Sequence, residues 1–157
     1  MSTITGQALR LHPDRLLPPD PEVRSIARRL YDEVRDLPII SPHGHVDARV
    51  LLEDRAFADP TSLLVTPDHY VTRLLHASGV PLDRLGVGHG PMGADEARAA
   101  WRLLCENWAV YRGTPVRYWL ESELVEVFGL DQRPSAATAD QLYDGIAERL
   151  ATPQFRP

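Results

Sequence analysis

One stretch of this chain reads as a β-strand, and almost everything after it reads as helix. Leu37-Pro38-Ile39-Ile40-Ser41 is short, apolar and β-branched in its middle, with Pro38 and Pro42 interrupting it. The spacing predicts a short buried strand that ends near Ser41–His45. A lone strand cannot satisfy its own backbone groups in a buried place. Nothing downstream reads as a convincing second strand, so this one is expected to find its partners outside the chain. The length of 157 residues suits about one domain. It is too short for a closed (β/α)8 barrel, which needs roughly 250 residues.

The helical signals flank that strand. Asp20 is placed as a cap with Pro21 at the first helical position. Val23, Ile26, Ala27, Leu30, Val34 and Leu37 follow at helical spacing, which predicts a helix over 21–36. Val50-Leu51-Leu52 suggests a helical turn, and Asp59-Pro60 a break. Thr66-Pro67-Asp68 reads as the start of a helix, with Pro67 at its first position. Tyr70, Val71, Leu74 and Leu75 form its buried stripe, and Gly79 stops it. A helix is expected over about 94–110. Another follows Thr114-Pro115, with the stripe Val116, Trp119, Leu120, Leu124, Val127 and Phe128 ended by Gly129. A capping box at Thr138-Ala139-Asp140-Gln141 opens a last helix that runs to about Leu150, closed by Pro153.

Composition narrows the function classes. The formal net charge is −5. An acidic chain without a basic run is a poor partner for nucleic acid or an anionic membrane. Every basic residue is arginine, so this stretch supplies no Schiff-base lysine, no carbamylated-lysine metal bridge and no phosphate-loop lysine. Cys105 is the single cysteine, which excludes an internal disulfide and a cysteine-built zinc site. It reads as a small buried apolar residue. The opening MSTITGQALRL has no apolar core long enough to read as a signal peptide, and no apolar run approaches the roughly 20 residues of a membrane span. A reduced cytoplasmic setting is the expectation.

Two clusters can do chemistry. His43-Gly44-His45 follows the expected strand, where a period of two puts both imidazoles on one face. Two neutral imidazoles make half a tetrahedral metal site, and Asp47 continues the alternation if the chain stays extended. Two ordinary histidines in a turn would give the same pattern. The second cluster is His69, Tyr70 and Arg73, at the start of a helix where backbone N–H groups favour an anion. Together they could receive a substrate carboxylate. A packed Tyr70 and a solvated Arg73 are the alternative. His76 and His89 read as surface or loop residues. Trp101, Trp108 and Trp119 read as core.

Taken together, these runs resemble a known family. Ile39-Ile40-Ser41-Pro42-His43-Gly44-His45 is similar to the first-strand H-x-H of the amidohydrolase superfamily. Thr66 through Leu75, continuing to Ala77-Ser78-Gly79-Val80, closely resembles the uronate (glucuronate) isomerases. So does Leu120-Glu121-Ser122-Glu123-Leu124 with Phe128-Gly129. The resemblance covers nearly the whole chain and suggests the first third of such an enzyme.

It implies a mostly α chain holding the first strand of a distorted (β/α)8 barrel and a helical insertion, an incomplete barrel. Residues 1–60 would carry the strand and H-x-H, and 61–157 the insertion. It implies aldose–ketose isomerisation of glucuronate to fructuronate and galacturonate to tagaturonate. His43 and His45 would be ligands of a divalent metal, zinc before manganese. His69 and Tyr70 would approach the substrate as catalytic groups, with Arg73 beside them in substrate binding. A small hexuronate and further copies of the same protein would be the partners. The remaining metal ligand, the general base and the carboxylate-binding arginines of the family lie later than residue 157. The isolated stretch is therefore expected to be inactive. Two rival readings stay open: a metal-dependent hydrolase of the same superfamily, and a non-catalytic helical module.

Overall fold

The computed structural model describes residues 8–44 and 46–157. Its regular elements are seven α-helices: α1 (Pro21–Val34), α2 (Ala48–Glu53), α3 (Pro60–Leu64), α4 (His69–Ala77), α5 (Ala94–Glu106), α6 (Pro115–Ser122) and α7 (Ala139–Leu150). Short 3-10 turns at Asp83–Leu85, Trp108–Tyr111 and Pro153–Phe155 join or end them, and a π turn at Glu123–Val127 extends α6.

The chain's aspartates set most of the early starts. Asp20, Asp47, Asp59 and Asp68 each accept backbone N–H groups at the head of a helix. Asp59-Pro60 is thus a beginning rather than a break, and α4 starts at His69 with Asp68 as its cap, two residues later than Pro67 implied. Two expected caps take another form. Thr114 Oγ1 donates to the Tyr111 carbonyl at 2.8 Å instead of capping α6. Thr138 Oγ1 donates to the Arg133 carbonyl at 2.7 Å, so no capping box forms at α7.

The core lies among the elements from α3 onward. α5 packs on α7 and on α3, and α7 meets α3 as well. Trp101, Leu104 and Cys105 of α5 meet Leu142, Tyr143 and Ile146 of α7 in the buried cluster. Trp101 Nε1 donates to the Ala139 carbonyl at 2.9 Å, which satisfies the indole inside the core. Arg98 and Arg102 clamp Asp140 and Asp144 along the outside of the same pair of helices.

The expected strand is not formed. No strand occurs among the described residues, and residues 37–44 run as an irregular exposed segment, with Ile39 93% and Ile40 88% exposed. The cause is the one the sequence raised. With no neighbouring strand to receive its N–H and C=O groups, extended chain gains nothing from a ladder, and Pro38 and Pro42 have no N–H to offer. The Ser41 hydroxyl donates to the His43 carbonyl at 2.7 Å, curling the segment at its end.

α1 also departs from expectation in its surroundings. It forms where the periodicity places it, but none of its residues is buried. It is tethered by charge: Arg28 donates to both carboxylate oxygens of Asp14. The lead-in that carries Asp14 is itself anchored, with Leu9 buried and Arg15 donating to Ser122 Oγ at 2.9 Å.

Candidate functional site

The start of α4 is built from local chemistry. Asp68 accepts the Tyr70 N–H at 2.7 Å and fixes the first turn. Val71, Thr72 and Leu75 form the buried face. The buried Tyr111 hydroxyl donates to the Val71 carbonyl at 3.0 Å, fastening that face to the core. With one side so held, His69 and Arg73 fall on the exposed side and Tyr70 lies between, half-buried. Spacing by four residues on a helix puts His69 and Arg73 one above the other.

The three side chains do converge. The His69 and Tyr70 rings lie 4.2 Å apart between centroids. The Arg73 guanidinium sits over the Tyr70 ring, 4.6 Å from its centroid, in cation–π geometry. Trp119 of α6 meets the same ring edge-on at 5.9 Å, with the planes 83° apart.

A groove of about 290 Å3 opens beside this helix start, lined by Val46, Pro67, Asp68, His69 and Tyr70. Val46 comes from the other cluster, immediately after His43-Gly44-His45. The chain at Val46 therefore borders the head of α4. His43 is exposed, and His45 lies outside the described residues, so the expected common face of the two imidazoles is not described.

Imidazole is suitable donor chemistry for a divalent ion. Among the described residues, no three His, Cys, Asp or Glu side chains converge to hold one. His43 carries an imidazole of that donor type. Asp47, which strand alternation could have brought to the same face, instead caps α2 by accepting the Arg49 N–H at 2.9 Å.

Behind the site lies a smaller cavity of about 140 Å3, on which Asp68, Val71, Trp119 and Glu123 border. Glu123 opens the π turn. Burial, with the charge of Asp68 added to it, pushes its carboxyl above the usual range.

Trp119 is the residue the periodicity misplaced. Trp101 and Trp108 are core as expected, but Trp119 is 48% exposed. The signal was present in its phase. At about 100° per residue it sits roughly 60° from Val116, away from Leu120 and Leu124. Val127, on the same expected stripe, is also exposed, because the π turn adds a residue to the turn and shifts the phase. Cys105 is buried as read, and burial pushes its thiol up to about 12. His76 is exposed, with its Nδ1 3.1 Å from the Val80 carbonyl, and His89 is exposed in a loop.

The family model for glucuronate isomerase matches residues 22–157. A uronate isomerase of Cutibacterium acnes is 53% identical over all 157 residues, which cover 33% of its own length. Among solved structures, the glucuronate isomerase from Caulobacter crescentus superposes with a TM-score of 0.89 at 44% identity. That match takes in 96% of this chain and 32% of that one. A uronate isomerase from Thermotoga maritima gives 0.78 at 27% identity, over 95% of this chain and 30% of its own. The chain spans about a third of the length of the relatives it matches. No helix among the described residues is long and apolar enough to cross a membrane.

Proposed function

The chain belongs to the glucuronate isomerase family, and we propose that its residues form one side of the active site of an aldose–ketose isomerase acting on hexuronates. Residues 1–60 would bring the H-x-H segment of an incomplete barrel, and 61–157 the helical insertion that approaches the substrate. The observation that carries this reading is the groove shared by Val46 and the head of α4. Val46, which follows the histidine pair in sequence, lies beside His69 and Tyr70 in that groove, and this supports the reading.

The reaction moves a proton between C2 and C1 through an enediol, and charge develops on the substrate oxygens as it does so. Tyr70 and His69, whose rings lie 4.2 Å apart at the head of α4, would donate hydrogen bonds to such an oxygen. Arg73 adds positive charge beside them for the substrate carboxylate. His43 and His45 would hold a divalent ion, zinc in first place, which when bound supplies Lewis-acid polarisation at the reacting oxygens. No general base is assigned within this stretch.

The test uses the full-length protein that carries these residues, with glucuronate as substrate and the ketouronate product followed by NMR. Tyr70→Phe is expected to lower kcat by about tenfold to a thousandfold, the usual worth of a group that stabilises a developing oxyanion. Absence of turnover by the unaltered full-length protein, or a Tyr70→Phe variant at the unaltered rate, would overturn the reading. Hydrolysis of an ester or amide offered in place of glucuronate, with no isomerisation of glucuronate itself, would favour a hydrolase instead.

A further inference from the structure

We propose that Trp119 is a positioning residue for Tyr70, holding the phenol ring in the direction that the chemistry needs. This rests on the reading of Tyr70 given above and extends it to a residue on another helix.

A phenol on the first turn of a helix is fixed at its backbone and free at its ring. Asp68 secures the backbone of Tyr70, but that contact does not set the ring torsions. His69 and Arg73 touch the ring from the same helix. Arg73 is a long, exposed side chain with many rotamers, and an exposed cation–π contact is a weak restraint. Trp119 is different in kind. It comes from α6, whose Val116 and Leu120 are buried in the core, so it reaches the ring from a second, separately anchored helix. Its indole meets the Tyr70 ring at 83° and 5.9 Å, the edge-to-face arrangement that aromatic quadrupoles favour. With Arg73 over the face and Trp119 in edge-on contact, the ring has contacts in two directions.

The experiment measures kcat and KM for glucuronate in the full-length protein, with Trp119→Leu and Trp119→Phe each made alone and in a Tyr70→Phe background. Trp119→Leu is expected to lower kcat by about threefold to tenfold, the range an aromatic pair is worth, with little change in KM. Trp119→Phe, which keeps an aromatic edge, should recover most of the loss. In the Tyr70→Phe background, Trp119→Leu should cost nothing further. An equal loss in that background, or an unaltered kcat in Trp119→Leu alone, overturns the proposal while leaving Tyr70 itself in place.

A readout without turnover separates the two layers. Aromatic 13C NMR of Tyr70 should show slower ring flipping in the unaltered protein than in Trp119→Leu. Equal flip rates overturn the positioning role even if Tyr70→Phe is inactive. If Tyr70→Phe keeps full activity, the reading of Tyr70 fails, and the flip rates still decide whether Trp119 restrains the ring.

Discussion

The stretch before α3 and the stretch from α3 onward are written in the same hydrophobic code and end in opposite conditions. α1 and α5 both carry apolar residues at helical spacing on one face. In α5 that face is buried against α7 and α3. In α1 Val23, Ile26, Leu30 and Val34 are all at least half exposed. Ile39, Ile40, Val46, Leu51 and Leu52 are exposed as well. Amphipathic pattern therefore decides that a helix forms and which face is apolar. It does not decide whether the face finds a partner within the same chain.

The difference is broken most sharply by truncation at matched positions. In the 157-residue chain, Trp101→Ala should lower stability by about 3–5 kcal/mol, since it leaves a cavity and strips a donor from the Ala139 carbonyl. Leu30→Ala, on the open face of α1, should stay within about 0.5 kcal/mol. Denaturant unfolding of both variants measures the contrast. Comparable losses would mean that α1 is packed in solution.

Thiol chemistry reads the packed side by itself. Cys105 is buried and its thiol is pushed up to about 12, so it should resist iodoacetamide at pH 8 and react fully once the chain is unfolded. Labelling in the native chain, followed by mass spectrometry, would show that α5 opens.

The smallest expected effect lies where the two stretches meet, at Glu123. Its folded value is raised by burial and by Asp68. A carboxyl raised on folding favours the folded state at acid pH, and that contribution is lost as pH rises through the folded value. Ionised Glu123 therefore costs stability near neutrality. Glu123→Gln should raise the melting temperature at pH 7, with the gain shrinking as pH falls toward the ordinary carboxylate range. A pH-independent shift would contradict that cause.

How far the sequence reached varied with what each residue depends on. Asp20 with Pro21, and Gly79 and Gly129 with φ of 101° and 61°, act within a few residues of themselves, so helix starts and stops were legible. So was the grouping of His69, Tyr70 and Arg73, because one helical turn sets it. The segment at 37–41 was misread as a strand because its pattern describes a state that needs partners beyond this chain. Trp119 was misassigned because its phase, roughly 60° from Val116 and away from Leu120 and Leu124, puts it at the margin of the stripe, and Val127 because a π turn that the pattern does not announce shifts the phase. The approach of Val46 to the head of α4 depends on tertiary placement, and no local signal encodes it.

The central claim is that the histidine segment of the open stretch and the Tyr70 helix of the packed stretch are two parts of one site. The direct measurement is kcat for glucuronate in the full-length protein bearing both His43→Ala and Tyr70→Phe, set against each single variant. Groups that act as a unit lose far less together than the product of their separate losses. The double variant is predicted to fall within about threefold of the slower single variant. A double variant slower by the full product of the two losses would contradict the claim and make the two clusters independent.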